Sequence, residues 1–137
     1  MADLSITAAN VDLISGPTGE ADAGATIAAG EIVYLEAATG TLKLADNDHA
    51  TAEVRAAAGL ALNGGGADQP IKYAKNGAIV DLGGAILTAG TDYYLSGTPG
   101  KIAPRADVTT GDDPVRIGMA LTTSQLKLDI ADPGVTL

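Results

Sequence analysis

The sequence predicts an all-β fold, a small barrel or a β-tulip-like sandwich of short strands with one short helix. Three observations lead to this prediction. Short runs of β-branched, aromatic and alternating apolar residues are separated by Gly-containing turns. Only one segment favours a helix, and it is about two turns long. The order of strands and turns in the first half recurs in the second half, within a length of 137 residues that suits a single domain.

The strands of the first half are predicted from their residue types and their alternation. The run Glu31–Leu35 is β-branched and aromatic, and Ala38–Gly40 turns the chain into Thr41–Leu44, where apolar and polar residues alternate. Gly59–Leu62 has the composition of a short buried strand. Pro70–Lys75 alternates again, which places Ile71 and Tyr73 on one face and Lys72 on the other.

Two further local signals lie beside these strands. Ala50–Ala58 contains good helix formers, and Gly59 follows it as a C-terminal glycine would. Asn76-Gly77 favours a type I′ hairpin turn, because both central positions of that turn need a positive φ. Ala78–Leu82 is then predicted to be the returning strand of the hairpin.

The second half repeats the first at an offset of 60 residues. Residues 24–30 and 84–90 are identical at four of seven positions, and at the same offset Tyr34 meets Tyr94. Gly59–Leu62 meets Gly118–Leu121 one residue out of step, after which residues 71–73 meet residues 126–128. We therefore expect a single β domain over residues 23–137, built from pseudo-repeats 23–82 and 83–137 whose strands close one sheet system.

Residues 1–22 lie outside this repeat and are predicted to form an N-terminal arm. A Gly- and Pro-containing break at Ser15–Gly19 separates the segment from the body. Two interpretations stay open. The segment is either a terminus or first strand on the domain's own sheet, or an arm that adds a strand to a neighbouring subunit.

The composition excludes several classes of protein and makes others improbable. The chain has no Cys, so a disulfide framework, a thiolate nucleophile and Cys-ligated zinc are excluded. It has no Phe or Trp and a net charge of −9, which disfavours nucleic acid as a partner. No apolar run reaches the roughly 20 residues of a bilayer span, so no membrane partner is expected. A core rich in Ala and small aliphatics buries little area per residue and gains stability from partner surfaces.

The search for catalytic or metal-binding motifs leads us to expect no enzyme, no cofactor and no metal site. His49 is the only histidine, and a hydrolase that uses it would also need a nucleophile. The sequence contains no Gly-x-Ser-x-Gly motif that would supply a nucleophilic Ser. Asp46–Asp48 and the pair Asp112 and Asp113 are the alternatives for a loop-bound cation. Counting from Asp46, Thr51 and Ala57 stand where an EF-hand loop needs Gly and Glu.

Two features leave room for a binding role. Gly64–Gly66 lacks the spacing and the Lys-Ser/Thr of a phosphate-binding loop, so a hairpin loop is the simpler interpretation. Tyr93 and Tyr94 are adjacent on a predicted strand and point to opposite faces. One is predicted to be core, and the other to contact solvent, a sugar or a partner subunit.

The strand and turn pattern resembles that of tailed-bacteriophage capsid decoration proteins, also called head cement or head stabilisation proteins. The resemblance covers about residues 23–137 and is carried by turn and strand pattern rather than by a catalytic signature. The matching runs are residues 29–45 (AGEIVYLEAATGTLKLA), residues 59–62, the strand that ends in Asn76-Gly77, residues 90–96 (GTDYYLS) and residues 117–120 (IGMA).

The resemblance implies a structural virion protein, made in the host cytoplasm and placed on the outer capsid surface. It implies a homotrimer that binds an expanded capsid at three-fold and quasi-three-fold positions and bridges subunits of the phage major capsid protein. In similar lambda-type proteins an N-terminal segment becomes ordered on the shell. By analogy this capsid-binding role falls on the apolar residues of the arm: Leu4, Ile6, Val11, Leu13 and Ile14.

A different class of function is the alternative. The exposed Tyr and the Gly-rich loops are also compatible with a virion- or cell-surface binding module, such as a head-fibre base or a glycan-binding domain.

Overall fold

The computed structural model describes residues 3–137, and these form two antiparallel sheets with a sandwich-like arrangement. The sheets are not closed into a barrel. The strands are β1 (Asp12–Ser15), β2 (Thr18–Asp22), β3 (Ile32–Glu36), β4 (Thr41–Leu44), β5 (Gly59–Ala61), β6 (Pro70–Ala74), β7 (Ile79–Asp81), β8 (Asp92–Leu95), β9 (Ile102–Pro104), β10 (Arg116–Ala120) and β11 (Gln125–Ala131). The predicted all-β fold is thus confirmed, in its sandwich form.

The six-stranded sheet has the order β1-β7-β11-β10-β8-β9, and the five-stranded sheet has the order β2-β6-β5-β3-β4. The two orders are the same when β7, β11, β10, β8 and β9 are matched, in that order, to β2, β6, β5, β3 and β4. The first five-strand unit begins with β2 at Thr18 and the second with β7 at Ile79, 61 residues later, close to the 60-residue offset of the sequence repeat. β1 adds one more strand to the edge of the larger sheet.

The segment expected to be an arm therefore contributes a strand to each sheet. β1 pairs with β7, where Leu13 lies opposite Val80, and β2 pairs along its whole length with β6. This placement corresponds to the alternative in which the segment belongs to the domain's own sheets.

The helix is shorter than predicted. One turn, α1 (Ala52–Arg55), forms within the expected residues 50–58, and its N-cap residue Thr51 makes no side-chain capping hydrogen bond. A single turn cannot repay the entropy of helix nucleation by itself. The contact of α1 with β3 holds it in place.

The predicted hairpin at Asn76-Gly77 is wrong. β7 pairs with β1 and β11, and β6 pairs with β2 and β5, so the turn carries the chain from one sheet to the other. Ala78 N–H donates to Lys75 O, and Gly77 has a φ of +92° whereas Asn76 does not have a positive φ. That combination is typical of a type II turn, which needs glycine only at its second central position.

Most of the core lies in one cluster that takes residues from both sheets, including Ile32, Leu60, Leu95 and Leu126. A second, smaller cluster lies on the other face of the five-stranded sheet and contains Ala23, Ile27, Val33, Leu42, Ala61, Ile71 and Tyr73. A bridge between Ala23 and Leu42 brings the ends of β2 and β4 together over this cluster. The five-stranded sheet is therefore apolar on both faces.

The matched strands bury opposite faces. Val33 lies opposite Gly59, and Tyr93 lies opposite Gly118, which aligns the two units by hydrogen-bond register. In this alignment Tyr34 corresponds to Tyr94 and stays buried in the main cluster, whereas Tyr94 is only half-buried. Ile32, Leu60 and Ala74 of the five-stranded sheet are buried in the main cluster. Their equivalents in the six-stranded sheet are Asp92, Met119 and Lys127, which lie outside both core clusters.

The register also corrects one detail of the predicted repeat. Tyr73 lies opposite Ala61, and Leu126 lies opposite Ala120, so Tyr73 rather than Ile71 corresponds to Leu126. A shift of two residues leaves every side chain on the same face of its strand, and for that reason the apolar alternation could not detect it.

Candidate functional site

The predicted capsid-binding residues lie along one surface segment with graded exposure. Leu4, Ile6, Val11 and Leu13 are half-buried and pack against the main core cluster, whereas Ile14 is 48% exposed. Leu4 N–H donates to Ile102 O at 2.8 Å, which ties the segment to the edge strand β9. The segment thus contacts the domain through its apolar side chains and leaves Ile14 available to solvent.

β1 is the edge of the six-stranded sheet. Its one strand neighbour is β7, so the main chain on its other side makes no ladder in the described residues. A free strand edge with an exposed apolar side chain is a surface on which another strand can pair. The predicted residues Leu13 and Ile14 lie on this edge.

A buried polar cluster, centred on Asn47, joins the two sheets at the loop after β4. The Asn47 side-chain N–H donates to Leu95 O at 2.8 Å, and the Asn47 backbone N–H donates to Ser96 O. Asp113 N–H in turn donates to Asn47 O at 2.9 Å. Asn47 is 1% exposed, so three separate chain segments meet at one buried side chain.

Asp113 lies beside this cluster with an unusual proton affinity. It is 3% exposed, and its pKa is raised to about 6, first by burial and then by the nearby Asp132 carboxyl, with Arg55 opposing the shift. The Arg55 Nε atom is 3.6 Å from the Asp113 carboxylate. In the acidic pair Asp112 and Asp113, the second carboxyl group is thus buried and faces the C-terminal segment.

His49 is exposed, and its contacts are local. Its Nδ1 atom accepts a hydrogen bond from Thr51 N–H at 3.0 Å, and its carbonyl oxygen accepts one from Arg55. Among residues 3–137, no hydrogen bond joins His49 to a Ser hydroxyl, and no three His, Asp or Glu side chains are grouped to hold a metal ion. The structure therefore leaves His49 as part of a polar loop.

The Gly64–Gly66 loop uses its main-chain donors internally. Gly65 N–H donates to Ile27 O, and Gly66 N–H donates to the Gln69 side chain at 2.7 Å. A phosphate cradle needs such donors to be free and convergent. This loop instead closes the smaller core cluster, where Ile27 pairs with Gly65.

The two adjacent tyrosines separate as predicted. Tyr93 is 4% exposed, and its hydroxyl accepts a hydrogen bond from Thr88 N–H at 2.9 Å. Tyr94 is half-buried on the outer face of the six-stranded sheet, with the Arg105 guanidinium 5.8 Å from its ring centroid. Tyr94 and Arg105 line a shallow groove of about 350 Å³, together with Pro114, Arg116, Ala131, Asp132 and Pro133.

Arg116 organises the charges on the same outer face. Its guanidinium donates to Asp129 at 2.8 Å and to Asp92 at 3.0 Å, which links β8, β10 and β11. Sequence reasoning missed this residue. A lone cation in the strand Arg116–Ala120, with acidic residues on the two strands that flank it, is the signal that could have found it.

No helix among the described residues is long and apolar enough to cross a membrane. No protein-family model and no curated protein matches the sequence.

Proposed function

We propose that the protein is a trimeric decoration protein of a phage head. It binds the outside of the expanded capsid at three-fold and quasi-three-fold positions and bridges subunits of the major capsid protein. The observation that carries the proposal is the free edge of β1 with Ile14 exposed on it, in a chain whose strand pattern resembles that family. An edge strand of this kind can add to a sheet of the shell by main-chain hydrogen bonds.

The apolar surface of β3 supports a subunit contact. Leu35 is 44% exposed although it lies within a strand, whereas its repeat equivalent Leu95 is fully buried. A large aliphatic side chain left exposed in one unit and buried in the other fits a surface that a second subunit covers. We assign Leu35 to the trimer contact.

The physics of a clamp fits these surfaces. Packed DNA presses outward on a phage head. When a trimer spans a subunit boundary, the subunits can separate only if its contacts break, so the binding free energy of the trimer is added to the free energy needed for separation. Three attached edges on one trimer act together, so modest individual contacts give strong total binding. The net charge of −9 keeps such a protein soluble and away from DNA.

The decisive experiment measures native mass and attachment to the shell. We expect the purified protein to have the mass of a trimer and to cosediment with expanded, empty heads of the cognate phage. Ile14→Asp should reduce cosedimentation at least tenfold while the trimer persists, because it places a charge on the free edge. Val135→Asp changes a residue that is 56% exposed in the C-terminal segment and serves as the matched control.

Leu35→Asp tests the subunit contact separately. The variant should shift the native mass from trimer to monomer. A wild-type protein that stays monomeric at high concentration and does not bind expanded heads contradicts the proposal.

A second candidate function is supported by the groove at Tyr94. A half-exposed ring beside the Arg105 guanidinium, with Arg116 in the same wall, offers an apolar face and polar donors, as a surface glycan requires. In this case a glycan array gives a signal that Tyr94→Ala abolishes. An array without signal removes this candidate and leaves the decoration proposal untouched.

A further inference from the structure

The side-chain amide of Asn47 is held in one orientation with its oxygen unpartnered. The amide nitrogen donates to Leu95 O, so the opposite atom, Oδ1, points away from that carbonyl. Oδ1 is buried and accepts no hydrogen bond, and Asn47 as a whole is 1% exposed. A buried acceptor without a donor is destabilising, which calls for a group that can bind it.

The unpartnered oxygen lies beside Gly97, a residue without a side chain. A Cβ atom at Gly97 would lie 3.2 Å from Asn47 Oδ1 and 3.1 Å from Asp48 Oδ2. Both oxygens therefore converge on the position that a side chain at residue 97 would take. Gly97 does not have a positive φ, so glycine is not required there by backbone conformation.

A third oxygen donor lies beside these two. Asp46 is 9% exposed, and its carboxylate accepts a hydrogen bond from Asp48 N–H at 3.0 Å. The two carboxyl groups are close enough to hydrogen-bond each other. Within residues 3–137, no Lys, Arg or His side chain forms an ion pair with either of them.

We propose that Asp46, Asn47 and Asp48 bind a calcium ion between their side-chain oxygens, beside Gly97. Carboxylate and amide oxygens are the ligands that Ca²⁺ prefers, and its coordination is flexible enough to accept three protein side chains completed by water. The ion satisfies the buried amide oxygen and neutralises two adjacent carboxylates at once. Two carboxylates and one amide form a small ligand set, so the affinity should fall in the millimolar class of weak calcium sites, about 10⁻⁴–10⁻³ M.

The test uses Ca²⁺ itself and the full chain. After treatment with EDTA and dialysis, calorimetric titration with CaCl₂ should show one site. At about 10 mM CaCl₂ the Tm should rise by roughly 3–7 °C relative to EDTA. Gly97→Ala places a Cβ within 3.1–3.2 Å of two of the ligand oxygens and so crowds the position of the ion. Asp48→Asn removes one charge. Either change should abolish the heat of binding and the Tm shift.

Glu20→Gln removes the same charge from an exposed position on β2 and should respond to CaCl₂ as the wild type does. The proposal fails if the wild type shows no heat and no Tm shift at 10 mM CaCl₂. It fails equally if Gly97→Ala and Asp48→Asn keep the full response, because the ion then binds elsewhere.

Discussion

The Asn47 side-chain amide donates a 2.8 Å hydrogen bond to the carbonyl oxygen of Leu95, 48 residues further along the chain. This bond ties the loop after β4, which belongs to the five-stranded sheet, to β8 in the six-stranded sheet. The bond is buried between the two repeat units, where a missing partner cannot be replaced by bulk water. This amide is therefore one of the contacts that fix the relative position of the two units, beside the shared core.

Asn47→Ala should destabilise the protein by about 1–3 kcal/mol, because it leaves the Leu95 carbonyl buried without a donor. Urea unfolding followed by circular dichroism measures the change. Asn10→Ala is the control, since the exposed Asn10 side chain makes no hydrogen bond within the described residues. Equal midpoints for the two variants would contradict the assignment of Asn47 as a structural tie.

Asp113 should make stability fall as the pH rises from about 4 to about 6. The folded pKa is raised above the ordinary value of 3.8 to about 6. The folded state therefore holds a proton that the unfolded chain has released, and this stabilisation disappears above pH 6. Asp113→Asn should flatten the pH profile between these values, by at most about 3 kcal/mol in the free energy of unfolding. If the pH profiles of the wild type and the variant are parallel, the prediction is wrong.

Gly118→Ala should destabilise the protein by about 2 kcal/mol or more. An added Cβ would lie 2.1 Å from the Lys127 carbonyl oxygen on β11, and its repeat equivalent Gly59 shows the same crowding, at 2.0 Å from Ala74 O. The backbone must move to accept the methyl group. Gly66→Ala is the matched control, because its Cβ would meet nothing closer than 3.9 Å. Thermal unfolding of both variants decides whether the two strands are as close as we describe.

Tyr93→Phe should cost about 1 kcal/mol, whereas Tyr94→Phe should change stability by less than about 0.5 kcal/mol. The Tyr93 hydroxyl satisfies Thr88 N–H, and the Tyr94 hydroxyl makes no hydrogen bond within the described residues. Denaturant midpoints of the two single variants provide the comparison. A larger loss at Tyr94 would mean that the outer face carries a contact that we have not assigned.

Much of the fold could be predicted because its determinants are local. The alternation in Thr41–Leu44 and Pro70–Lys75, and the Gly-containing turns between the runs, marked strands that the structure contains. The 60-residue offset is matched by the repeated strand order of the two sheets. The hairpin at Asn76-Gly77 could not be predicted correctly, because these residues suit more than one turn type. The strands on either side, β6 and β7, pair with other strands and not with each other.

The candidate sites were less accessible to prediction. Asp46–Asp48 and Asp113 could be identified as polar loops, but the burial of Asn47 depends on Leu95 and Ser96, which no local pattern connects to it. Arg116 draws its partners Asp92 and Asp129 from two other strands. Contacts of this kind exist only after the sheets have formed.

The sequence by itself determined an acidic, cysteine-free β domain of two related halves, because composition and alternation act within a few residues. The tertiary structure alone decided which face of each half is buried. Tyr34 and Tyr94 hold equivalent positions, yet one lies in the core and the other lines the outer groove. The alternation in a strand separates its two faces without saying which one meets the other sheet, and that choice is made by packing between residues far apart in the chain.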